Sequence, residues 1–60
     1  MTEKQNLIDT IEYLADRVAN DRGSETAMSA FNGNDISGLE DLSIRELWEI
    51  LGNLQQMDAD

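Results

Sequence analysis

An all-α fold is predicted for this chain, and three observations predict it. Two stretches repeat apolar residues at spacings of three and four, the period of a helix face. Both stretches open on a capping pattern. The strongest turn signal, Asn32-Gly33, has no flank that alternates as a strand would, so a hairpin is not expected. The architecture these imply is a small helical bundle. Two amphipathic helices pack antiparallel, a short helix lies between them, and the bundle is dimeric.

The first helix is expected from Glu3 to Asn20. Thr2 followed by Gln5 spells a capping box, in which the Thr2 hydroxyl accepts from the Gln5 amide and the Gln5 side chain reaches back. Leu7, Ile11, Leu14 and Val18 carry the apolar stripe, and Ile8 and Ala15 broaden it. The stripe would suit a coiled-coil seam, but Lys4 and Asp21 stop it at two heptads. The polar back holds Asp9, Glu12 and Asp16, stacked at spacings of three and four as one acidic stripe. Like charges so spaced cost a few tenths of a kcal/mol per pair, at most about 0.5.

Gly23 is the expected C′ residue of this helix, in the left-handed conformation. Ser24 then caps a short second helix from Glu25 to Phe31, with Ala27, Met28 and Phe31 as its apolar edge. Asn32 to Gly38, read NGNDISG, is expected as a loop tethered by Ile36 and Leu39. It is not a calcium loop, because Ile36 stands where a ligand is needed.

The last helix is expected from Leu42 to Met57. Ser43 and Glu46 form the second capping box, and Leu42 and Leu47 occupy the hydrophobic-staple positions. Asp41 and Glu46 add negative charge at the positive end of the helix dipole. At ~100° per residue, Ile44, Leu47, Ile50, Leu51, Leu54 and Met57 fall on one side. Trp48 widens that side to about half the circumference, whereas a helix lying on a single core needs a stripe of only ~100°. Arg45, Glu49, Gly52 and Gln56 make the narrow outer face. The spacing of Leu54 and Met57 carries the helix past Gly52, and Asp58 to Asp60 form a frayed tail. The expected core is Leu7, Ile11, Leu14, Val18, Met28, Phe31, Leu42, Leu47, Ile50, Leu51 and Leu54.

Sixty residues make a single small domain spanning 1–60. A chain of that length buries only ~60% of its unfolded surface. Such domains are usually reinforced by disulfides, a metal or oligomerisation. With no cysteine and no histidine, oligomerisation is the reinforcement left, so a homodimer through the wide face of the last helix is expected. The segment MTEKQNLIDTIEY holds no long apolar run, which argues against a signal peptide or a membrane span. Lack of cysteine fits a cytoplasmic setting.

Thirteen acidic residues against four basic ones leave a net charge of −9. Nucleic-acid affinity rests largely on Lys and Arg neutralising phosphates, so direct binding to nucleic acid is not expected. An anionic membrane would repel the chain as well. A protein with a basic surface is the partner this charge favours. No enzyme is expected. Histidine is absent, the serines and threonines lack an activating base, and no glycine-rich phosphate motif is present. No catalytic residue, metal or cofactor is therefore assigned.

The leading functional expectation is a small acidic protein-protein interaction module, a regulator or adaptor. It docks through an apolar helical face made by Trp48, Ile44, Leu51 and Met57, with acidic residues steering the encounter. Tryptophan is enriched at interface hot spots. The competing placement for Trp48 is the core, against Phe31 and Met28. The alternative function is a phage-type DNA mimic, in which Asp9, Glu12 and Asp16 imitate phosphates and block a nucleic-acid-binding protein. A third is a structural subunit that folds only within a larger assembly.

Overall fold

A computed structural model describes residues 2–59. It is all-helical, with no strand among the described residues. A long helix α1 (Glu3–Arg22) is followed by a one-and-a-half-turn helix α2 (Ser24–Ser29). A 3₁₀ segment, Ile36–Asp41, then leads into α3 (Ile44–Ala59).

The start of α1 forms as expected, with half of the capping box in place. Thr2 is extended and its hydroxyl accepts from the Gln5 amide at 3.1 Å. The Gln5 side chain does not reach back; it donates to Asp9 one turn ahead, at 2.9 Å. The helix runs two residues beyond Asn20 and ends at Gly23, whose amide donates to the Ala19 carbonyl. Gly23 has positive φ, but its ψ of 151° lies far from the left-handed helical well. It falls in a region open essentially to glycine alone. That extended ψ turns the chain straight into α2, so Gly23 and not Ser24 is the N-cap, and Ser24 is the first helical residue.

Past α2 the chain reverses at Asn32 and Gly33, with φ of 55° and 85°. The Asn34 amide closes the turn onto the Phe31 carbonyl at 2.9 Å. Positive φ at both central residues is the type I′ pattern, which Asn-Gly adopts most readily. The expected loop is then partly helical. Asp35 caps the 3₁₀ segment through the Ser37 amide, and Leu39 buries fully while Ile36 stays outside.

In α3 the Ser43 hydroxyl accepts from the Glu46 amide at 3.3 Å, and the helix passes Gly52 without a break. It continues through Asp58 and Ala59, where a frayed tail was expected; Asp60 lies outside the described residues. Asp58 is held by Arg17, Nε to Oδ1 3.5 Å.

The two long helices run in the same direction, which corrects the antiparallel expectation. Lys4, at the start of α1, donates through Nζ to the carbonyl of Glu40, just before α3 begins. Arg17, near the end of α1, meets Asp58, near the end of α3. Start lies beside start and end beside end. Antiparallel neighbours follow from short connections. Here the chain from Gly23 to Ser43 is long enough to travel back to the start of α1.

One apolar core sits among the elements. Leu7, Ile11 and Val18 of α1 bury against Leu47, Ile50 and Leu54 of α3, with Leu39 and Phe31 completing it. Among the described residues no polar side chain is buried, so no side chain of the interior needs a hydrogen-bond partner. Three expected core residues depart from this. Leu14 and Leu42 are only half-buried, and Met28 is 62% exposed. The small residues Ala27 and Ala30 take the core positions next to Met28, whose own side chain turns outward to the edge of the groove between α1 and α2.

Candidate functional site

The apolar residues of α3 divide into two groups. Leu47, Ile50, Leu51 and Leu54 are buried, and Met57 packs half-buried against the core. The chain therefore fills most of the wide apolar face by itself. Ile44 and Trp48 remain outside, 40% and 53% exposed. They stand one turn apart, so their side chains are neighbours on the helix surface. Gly52 stands one turn further on, with open space where its Cβ would be. It leaves that flank of the indole uncovered. Of the four residues expected to bind a partner, Trp48 and Ile44 thus form an exposed apolar strip. Leu51 belongs to the core and Met57 to its margin. Trp48 is also not the core tryptophan of the competing placement.

Asn53 lies on the opposite flank of α3 and donates to the Ala30 carbonyl at 3.0 Å. This contact ties the middle of α3 to the end of α2. It puts the α2 side of α3 away from Trp48, roughly 140° around the helix at ~100° per residue.

Helix α1 presents two flanks of different character. Tyr13 and Arg17 lie on the flank toward α3. The Arg17 guanidinium carbon stands 5.8 Å from the Tyr13 ring centroid, within cation–π range. Tyr13 and, next, the Asp58 carboxylate push the arginine's already high pKa further up. Its charge is fixed throughout the working range of pH.

The flank toward α2 borders an open groove of about 360 Å³. Its floor is Ala15 and Ala19 of α1, Ala27 of α2 and Phe31. Met28 and Ile36 stand at its edge, both exposed. The charged residues along it are all acidic: Glu12 and Asp16 of α1 and Asp35 of the loop. The sequence pattern had grouped Glu12 and Asp16 with Asp9 as a stripe of solvated carboxylates. All three are exposed. The fold adds an apolar floor beside two of them, which the spacing along α1 alone could not show. Among the described residues, no group of three or more acidic side chains is placed to hold a metal ion. No described helix is long and apolar enough to cross a membrane.

No protein-family model matches the chain, and no curated protein or solved structure does either.

Proposed function

We propose that this chain is a small acidic protein-binding module, a regulator or adaptor that docks a partner on the Ile44–Trp48 strip of α3. The observation that carries the reading is the exposure of Trp48 beside a core that closes without it. Burying a large aromatic contributes about 1.5–3 kcal/mol. Trp48 is 53% exposed, so the part of that contribution belonging to its exposed surface is left unused in the free chain. A partner surface that covers Ile44 and Trp48 recovers it. Acidic residues across the rest of the surface would speed encounter with a basic partner and set the salt dependence of the on-rate.

The test is affinity capture with the wild-type chain and with Trp48→Ala, after thermal melts show that both are folded. A partner retained by the first and lost by the second, at least tenfold weaker, is the expected result. Equal retention overturns the role of Trp48.

The DNA-mimic reading draws on the exposure of Asp9, Glu12 and Asp16 along one side of α1. It expects release at moderate salt, since screening weakens charge contacts far more than apolar burial. It also expects competition by duplex DNA for the same partner. A homodimer through α3 would have to close over Ile44 and Trp48, because the remaining apolar residues of that face are already covered. A sedimentation series that stays monomeric to high concentration removes it.

A further inference from the structure

We infer that the groove between α1 and α2 is a second docking surface, which takes a segment of another protein carrying an apolar anchor bracketed by Lys or Arg. The floor is apolar and built from small side chains. Ala15, Ala19 and Ala27 leave the depth that a Leu or Met at any of these positions would fill. Met28 and Ile36 flank it, and methionine adapts its shape to irregular apolar partners. The volume of about 360 Å³ is at the lower end of the ~300–1,000 Å³ typical of ligand sites. It suits one or two inserted side chains of a peptide.

Charge selects the occupant. Glu12 and Asp16 stand one turn apart on α1, and Asp35 lines the same groove from the loop. Among the described residues no Lys or Arg lines the groove, Arg45 on α3 included. Lys4 is turned to Glu40, Arg17 to Asp58 and Arg22 to Asp21. Among the described residues neither Glu12 nor Asp16 has an ion pair, so their negative potential is uncompensated. Cationic side chains on both sides of an apolar anchor complement this arrangement. A second copy does not, because it brings a net charge of −9 of its own. Residues of α1, of α2 and of the loop after it all line the site. It thus resembles the grooves into which an amphipathic helix lays its apolar face with its charges at the rim.

This surface is independent of the Ile44–Trp48 strip, and its test separates the two. The probe is a fourteen-residue amphipathic peptide of leucine and lysine, titrated into the isotope-labelled chain and followed by amide chemical shifts. A peptide with serine in place of leucine, of equal charge, is the control. The expected result is shift changes at Ala15, Ala19, Ala27 and Met28, and at least tenfold tighter binding of the leucine peptide. The triple variant Glu12→Gln, Asp16→Asn, Asp35→Asn should weaken it about tenfold, and Ala19→Met should weaken it by filling the groove. Trp48→Ala should leave it unchanged. Equal binding of the two peptides, or shift changes centred on Ile44 and Trp48, overturns the inference. So does concentration-dependent self-association that maps to the groove, which would make a second copy its occupant.

Discussion

At the scale of single residues, the chain's two most informative glycines have opposite requirements. Gly23 joins α1 to α2 with φ 99° and ψ 151°, a conformation that side chains oppose. Gly52 sits inside α3 with open space around its missing Cβ. Gly23→Ala should therefore destabilise by about 1–3 kcal/mol through backbone strain alone. Gly52→Ala should stabilise by about 0.5–1 kcal/mol, because alanine is the better helix former. Urea denaturation of the two variants checks both signs at once, and the same sign for both would contradict the backbone described for this chain. Residue identity was also where sequence reading reached its limit. Met28 and Ala27 both lie on the apolar side of α2, and hydrophobicity alone favours the larger one as core. The way α2 lies on α1 turns Ala27 inward and Met28 outward, and that placement is not written in the local spacing. Trp48 poses the same problem. Its position on the edge of the apolar arc of α3 was legible, but whether the chain covers that edge depends on where α1 and α2 lie.

At the scale of elements, caps and periodicity made α1 and α3 readable. Thr2 and Ser43 each accept the amide three residues ahead, as their capping patterns require. Thr2→Ala and Ser43→Ala should each cost about 1 kcal/mol of stability. The effects should add, since the two sites serve different helices. Circular dichroism melts of the single and double variants test this, and a double variant no worse than either single one would contradict it. The 3₁₀ segment Ile36–Asp41 was not readable in the same way. It is one short stretch with one buried anchor, Leu39, and a single Asx-type cap at Asp35. Short helices of this kind form because tertiary contacts hold them, and such contacts leave no period in the sequence. The acidic stripe was legible as three carboxylates on one side of α1. That only Glu12 and Asp16 border an apolar floor was not, because Ala27 and Phe31 complete that floor from outside α1.

At the scale of the whole molecule, helix direction is the feature periodicity does not encode. An apolar stripe reads the same whether its partner runs with it or against it. Here the long connection brings α3 back to begin beside the start of α1. The extents of 29 × 19 × 15 Å fit this, with the long axis close to the length of α1 at ~1.5 Å per residue. The chain has no cysteine, so pairs of spin labels can be introduced cleanly. Labels at Glu3 and Asp41 should be close, and labels at Glu3 and Ala59 should be separated by about the length of α3, ~24 Å. Reversal of those two distances would restore the antiparallel bundle. The parallel arrangement also gives the molecule its two outward apolar features. The groove follows from α2 folding back along α1, and the Ile44–Trp48 strip from α3 turning that flank away from α2.

The core closes without Trp48 and leaves its indole exposed. Trp48 is the single tryptophan of the chain, so its fluorescence reports on that one side chain. The measurement is the emission maximum and iodide or acrylamide quenching of the folded protein across a dilution series. An indole 53% exposed should emit well to the red of a core tryptophan and be readily quenched, with no change on dilution. A blue-shifted, quencher-resistant signal at every dilution would place Trp48 in the core and contradict the account. A shielded signal that appears only at high concentration would show that a second copy covers the strip.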